Sequence, residues 1–279
     1  MAELVGVFAA SHAPLVAREW DNFTAPVRES LTAAYDKVGA RLKAVAADVI
    51  LEISTDHWVN FFLDNLPAVC IGIGAENDGP PEPFMRRVYP HATMQGHEGL
   101  GNHLLRTALA RDFEPALSHR LTLDHGFCIP LWRSGLSPPP PILPMLVNEL
   151  EPPMLSVRRC LEWGRLLAEA IHSYPDEIRV AILASGGLSH SIGEPTMGAI
   201  EPDFDEACIR LLGDGAEQPV IDYFEARLPH AGNGGHEVRS WFIAHAAAGS
   251  RGFELLEYLP VPEVYVGCGF ASWKLGARQ

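Results

Sequence analysis

Six side chains in this sequence have the types and placement from which a metal centre can be built. His12 follows the apolar run 4–10, and His57 follows the run 49–53 in Ser54-Thr55-Asp56-His57. His190 follows the run 180–184 in Ser185-Gly186-Gly187-Leu188-Ser189-His190. Glu237 follows Gly232-Asn233-Gly234-Gly235-His236, and His236 itself and His125, in Leu123-Asp124-His125-Gly126, complete the six. In α/β sheets, ligands bind beyond the carboxyl ends of the strands, where three of these histidines fall. Two histidines and a carboxylate that leave positions open form the ligand set of non-haem Fe(II) oxygenases. The residue types point to redox chemistry on dioxygen.

His12 and His57 follow the two strands of one strand–helix–strand unit, so their side chains can converge at one sheet edge. Glu237 suits the third place: it opens a helix after flexible glycines, where the helix dipole favours negative charge. Asp56 is open as a ligand or as a supporting carboxylate. Glu52 lies inside a strand and reads as one half of a structural pair. The pair His236-Glu237 starts like the zinc signature HExxH, but Ser240 stands where the second histidine belongs. His245 falls on the opposite helix face from His236 at about 100° per residue and reads as a core or surface histidine. His2Glu also binds catalytic zinc, so a zinc-dependent hydrolase is the alternative.

The elements that must position these residues follow from periodicity. Residues 4–10 and 48–53 read as buried strands around a helix spanning about 21–47, which favours a parallel pair. Strands are expected at 68–74, 142–147 and 179–184, with a closing antiparallel pair at 253–259 and 264–270. Helices are expected at 98–111, 157–174, 203–212, 220–228 and 237–248. Residues 75–96, with Gly79-Pro80-Pro81-Glu82-Pro83, read as a long loop in the style of a lid. Asp124-His125-Gly126 reads as a turn. The expected fold is a single-domain α/β sandwich over 1–279, with a central mixed β-sheet flanked by helices.

Composition narrows the partners. The 279 residues are 47% hydrophobic and 20% charged, enough to bury a large core. The net charge is −14 with three lysines, which argues against nucleic acid and anionic membranes. No apolar run approaches the roughly 20 residues of a membrane helix. Five scattered cysteines without a CxxC pair, and no secretory signal, suit a reducing cytoplasm.

Five motifs in order carry a resemblance: Ser11-His12-Ala13-Pro14, Thr55-Asp56-His57, Leu123-Asp124-His125-Gly126, Gly187-Leu188-Ser189-His190, and Asn233-Gly234-Gly235-His236-Glu237-Val238-Arg239. Together they resemble the class III extradiol ring-cleavage dioxygenases, above all the β (catalytic) subunit of protocatechuate 4,5-dioxygenase. The resemblance runs from residue 6 to about 275. It implies Fe(II) held at His12, His57 and Glu237, with O2 as co-substrate. It also implies a catalytic acid/base at His190 and a second active-site histidine at His125. The substrate would be a catecholic aromatic acid such as protocatechuate or gallate. A separate small α subunit, or a homodimer, would close the site. A Memo-like interaction protein shares this architecture but predicts a damaged metal set.

A histidine titrates near neutral pH, so His190 suits taking a catechol proton and returning it later. A ring carboxylate would be met by Ser189, Thr55, Arg239 or residues 263–273. Trp58, Phe61 and Phe127 read as pocket wall or core.

Overall fold

The computed structural model describes residues 1–90 and 92–276. Its strands are β1 (Glu3–Ala10), β2 (Val49–Ser54), β3 (Val69–Gly72), β4 (Glu76–Gly79), β5 (Ala92–Gln95), β6 (Ala116–Ser118), β7 (Ile142–Val147), β8 (Arg179–Ser185), β9 (Phe253–Val261) and β10 (Val266–Trp273). Its α-helices are α1 (Leu15–Arg18), α2 (Ala25–Ala44), α3 (Pro83–Arg86), α4 (Glu98–Ala110), α5 (His125–Arg133), α6 (Val157–Ser173), α7 (Pro202–Asp214), α8 (Glu217–Arg227) and α9 (Val238–Ala247).

Eight strands form one mixed sheet in the order β6-β3-β7-β2-β8-β1-β10-β9. Its centre is a parallel block: β7 with β2, β2 with β8, and β8 with β1. β10 pairs antiparallel with both β1 and β9. The central strands are buried on both faces, which is why they read as continuous apolar runs rather than alternating ones. Alternation still sorts their side chains. Val7, Ala9, Leu51 and Ile53 pack into one core with α4, α6 and α9. Phe8, Ala10 and Ile50 face the other core, with α2 and α5. This is the mixed-sheet α/β fold expected from the sequence.

Three local readings are corrected. β1 and β2 run parallel but are not neighbours, because β8 inserts between them and pairs with both. The segment 75–96 is not an open loop. β4 and β5 pair as an antiparallel hairpin around α3, and Met85, Tyr89 and Met94 are buried in the second core. Asp78 also exchanges backbone bonds with Leu121 and Leu123. Burial of those side chains, unreadable through the prolines and glycines, gives the segment its structure. The Asp124-His125-Gly126 turn is the start of α5, capped by the Asp124 carboxylate accepting from Gly126 N at 2.8 Å.

Glu52 points into the second-core face of β2, and neither of its carboxylate oxygens has a hydrogen-bond partner among the described residues. It is therefore not half of a structural pair. Burial, helped by Asp124, pushes its pKa well up, which favours the neutral acid.

The tightest helix contact joins α6 to α9. A Cβ on Gly164 would stand 2.1 Å from the Ile243 carbonyl oxygen and 2.7 Å from Ala246 Cβ. Gly164→Ala is expected to cost about 1–3 kcal/mol through this overlap, outweighing the usual helix gain of alanine. Urea midpoints of the two proteins check it; an unchanged or higher midpoint refutes the close approach.

Candidate metal centre

The carboxyl ends of the parallel strands carry the chemistry. β1 ends at Ala10 and leads to His12; β2 ends at Ser54 and leads to His57; β8 ends at Ser185 and leads to His190. α5 begins with His125. Glu237 closes the short 3-10 turn Gly234–Glu237 and occupies the N-cap position of α9. These five residues come from five chain segments and meet in one place.

Glu237 Oε1 lies 3.4 Å from His12 Nε2, 3.6 Å from His57 Nε2 and 3.6 Å from His190 Nε2. The His125 ring centroid is 4.1 Å from that of His57 and 5.6 Å from that of His12. Ligand atoms of His12, His57 and His125 lie within 4.8 Å of one another.

Each ring is held from behind through Nδ1. Ser185 Oγ donates to the Gly126 carbonyl, so it accepts from His12 Nδ1–H at 2.9 Å. His57 Nδ1 meets Asp124 Oδ2 at 3.1 Å, and the same oxygen accepts from His57 N at 2.8 Å. His125 donates to Glu82 Oε1 from both its backbone N and its Nδ1, at 2.9 and 2.8 Å. His190 Nδ1 donates to the Leu188 carbonyl at 3.0 Å. An acceptor at every Nδ1 fixes the proton there, so each ring in its neutral form turns its Nε2 lone pair inward. Glu237 Oε2 accepts from Gly187 N at 2.8 Å, so Oε1 is the oxygen turned to the rings.

Two glycines make this approach possible. Gly186 has φ +117, and a Cβ there would stand 2.7 Å from Glu237 Oε2. A Cβ on Gly234 would stand 2.0 Å from His190 Nε2.

The charges reflect the crowding. Burial opposes a charge on His57, yet the Asp124 and Glu237 carboxylates outweigh it and raise its pKa to about 10. His190 is raised in the same way: burial lowers it, and Glu237 more than compensates. Burial dominates at His12 and lowers it. Burial alone would raise Glu237, but His12 and His190 hold it well below the usual carboxylate range. In the metal-free chain, protons on histidine supply the positive charge that the buried carboxylates require. A bound cation can replace them.

The donor set fits a metal. Donors about 2.0–2.2 Å from one ion stand about 3–3.5 Å apart, close to the separations around Glu237 Oε1. Nδ1 atoms held by carboxylates or other acceptors are the usual support behind metal-binding histidines.

Other candidate residues lie elsewhere. Asp56 accepts from Val59 N, Asn60 N and Phe61 N, capping the turn after His57. His236 Nδ1 stands 2.8 Å from Arg239 Nη1, away from the cluster. His245 is a core histidine, accepting at Nδ1 from Trp273 Nε1. Phe127 is core and Phe61 lines a small separate cavity, while Trp58 walls the main one.

The sequence reading missed the supports: Glu82 inside the presumed loop, Asp205 and Glu149. Asp205 accepts from Ser189 N, Ser189 Oγ and Tyr258 OH at 2.8, 2.9 and 2.7 Å, and so pins the turn that carries His190. Burial raises its pKa to about 6 against those hydrogen bonds. Glu149 accepts from Ser240 Oγ at 2.9 Å. No local signal marked Asp205, which has the look of an acid in the first turn of an amphipathic helix.

A cavity of about 490 Å³ opens over the cluster, with Pro14, Leu15, Trp58, Leu150, Val264 and Tyr265 among its apolar walls. Trp58 and Tyr265 have φ +58 and +63, unusual for bulky residues, and both stand at its rim.

Residues 6–269 match the family described as the catalytic LigB subunit of aromatic ring-opening dioxygenase. A 2,3-dihydroxyphenylpropionate/2,3-dihydroxicinnamic acid 1,2-dioxygenase of Dechloromonas aromatica (strain RCB) is 28% identical, covering 80% of this chain and 83% of its own. One from Mycolicibacterium gilvum (strain PYR-GCK) is 25% identical, covering 94% and 96%. Gallate dioxygenase of Pseudomonas putida (strain KT2440) is 33% identical over 53% of this chain and 44% of its own. An uncharacterized protein from Escherichia coli K12 shares the fold, with a TM-score of 0.59 at 14% identity over 87% of this chain and 92% of its own.

The His57–Asp124 pair makes a pH prediction for the metal-free protein. His57 keeps its proton to about 10 when folded, against an ordinary value of 6.5. Its contribution to stability is complete below about pH 6.5 and is lost as pH rises toward 10. Wild type should therefore lose up to about 1.4 kcal/mol per pH unit between pH 6.5 and 9 relative to Asp124→Asn. Urea unfolding in the presence of chelator measures it; parallel curves for the two proteins would refute the coupling.

Proposed function

Because the chain belongs to the family of catalytic LigB subunits of aromatic ring-opening dioxygenases, we propose that its buried cluster is an Fe(II) site where a catecholic aromatic acid is opened. The chain is an extradiol ring-cleavage dioxygenase that uses O2, and the zinc-hydrolase and Memo-like readings fall with that. The observation that carries the site assignment is the convergence of inward-facing Nε2 atoms on Glu237 Oε1.

In this reading His12, His57 and Glu237 hold the metal. Four rings and a carboxylate exceed what a facial triad needs, so His125 and His190 remain for the substrate. Fe(II) bound there supplies a centre on which catechol oxygens and O2 meet and exchange electrons. The protein's own work is proton handling and exclusion of water. His190 carries its proton on Nδ1, so its neutral Nε2 accepts a hydroxyl proton from the catechol and later returns it. Glu237 stabilises the imidazolium that forms meanwhile. His125, braced by Glu82, presents a second Nε2 to the same space. The apolar walls keep the ring in place and limit water. Protocatechuate and gallate are candidate substrates, joined by catechols with a carboxylated side chain, for which the relatives matching most of the chain are named.

Trp58, Ile192, Met197 and Tyr265 are exposed apolar residues at the cavity mouth. With the 75–96 segment stitched into the core, a small α subunit or a second copy of the chain covers this rim in our reading. No helix among the described residues is long and apolar enough to cross a membrane. Five buried free thiols suit a reducing cytoplasm.

His12→Ala and Glu237→Ala are expected to lose both iron and ring cleavage, read by metal analysis and O2 uptake. Full iron occupancy in either would sink the ligand assignment. His190→Phe should keep its iron and lose about 10²–10⁴-fold in kcat; wild-type turnover across pH 6–9 would remove its role. His125→Ala should lose less. Light scattering alongside activity tests the partner: a fully active monomer of this chain alone would make a cover unnecessary.

A further inference from the structure

Among the described residues the cavity wall contains one arginine, Arg18, and its place suggests which part of the substrate it meets. Three of the groups expected from the sequence to meet an anion are engaged elsewhere, and of residues 263–273 the cavity is lined by Val264, Tyr265 and Val266, none of which carries a positive charge. Arg239 donates to the Leu155 carbonyl and stands against His236. Ser189 is held by Asp205, and buried Thr55 lines a different, small cavity. Arg18 has one ion pair, with the adjacent Glu19 at 3.3 Å through Nε, and its side chain is 64% exposed. Such an exposed pair contributes little. A guanidinium fork matches a carboxylate in a bidentate way.

Its mount is firm. Arg18 ends α1, whose backbone bonds run back to Pro14. Val16 in the same turn is fully buried. Arg133 donates to the Val16 carbonyl and stacks on Trp20, 3.5 Å from its ring centroid. Between His12 and Arg18 the lining residues are Ala13, Pro14 and Leu15, all apolar. Along the chain the order of lining residues is metal-facing histidine, three apolar residues, then a cation at the end of α1. The other charged residue of the outer wall, Glu151, has the wrong sign to meet an anion.

We propose that Arg18 binds a carboxylate at the end of a side chain on the catechol, making the preferred substrates side-chain acids rather than ring carboxylates. This rests on the reading of the cavity as the ring-opening site. A ring carboxylate is bonded directly to the aromatic carbon and stays near the cluster; a short apolar chain carries the charge past Pro14 and Leu15 to the guanidinium. In a protein of net charge −14, such a local cation is what lets an anion bind.

The test compares 3-(2,3-dihydroxyphenyl)propionate, its neutral counterpart 3-propylcatechol, and protocatechuate on the iron-loaded protein. Wild type should favour the side-chain acid. Arg18→Met should raise KM for that acid about tenfold to a hundredfold, with kcat within about threefold and KM for 3-propylcatechol within about twofold. Arg18→Lys should recover part of the loss. Calorimetry on the metal-free protein with 3-phenylpropionate, which lacks the hydroxyls, should show weaker binding to Arg18→Met. Equal losses for acid and neutral catechol, a wild-type preference for protocatechuate, or unchanged 3-phenylpropionate binding would overturn the proposal. If iron-loaded wild type cleaves no catechol, the ring-opening reading fails, and the calorimetry still decides Arg18.

Discussion

A carboxylate at 2% exposure cannot stand uncompensated, and Glu237 is the group around which this site is organised. One oxygen takes the Gly187 N–H; the other faces three imidazole nitrogens. It also occupies the N-cap position of α9, where the helix dipole favours its charge. The glycines at 186 and 234, the Trp241 indole bonded to the Gly186 carbonyl, and the pinned turn after β8 all serve this one approach.

The histidines depend in turn on a ring of acceptors behind them. Asp124 and Glu82 lie far along the chain from the histidines they hold, His57 and His125, one as the cap of α5 and the other from the hairpin bearing α3. Ser185 closes β8 and donates its own hydrogen bond to the Gly126 carbonyl. Because each ring's first proton is assigned from outside, the inward face of the neutral rings is uniform, made of lone pairs. That uniformity suits a cation and would be costly without one or without protons in its place.

The surroundings divide the labour. Burial raises the pKa of both Glu52 and Glu149, with Asp124 adding to the first and Glu237 to the second, which favours their uncharged forms. Asp205 fixes the turn of His190 without touching the cavity. The walls are apolar and the rim is aromatic, leaving Arg18 as the cation that distinguishes one end of the cavity from the other.

The sequence by itself determined the parallel strands, since residues buried on both faces must be apolar in unbroken runs. It also placed His12, His57 and His190 at strand ends, because a loop begins where such a run stops. The strand order was beyond it: nothing local says that β8 enters between β1 and β2. Nor could it show that the Pro/Gly-rich 75–96 segment is a buried hairpin, because its few core side chains lie too far apart to make a period. Glu82, Asp205 and Arg18 were invisible as site residues for the same reason. Each matters through a partner dozens of residues away or through a cavity wall, and only the tertiary structure brings those together.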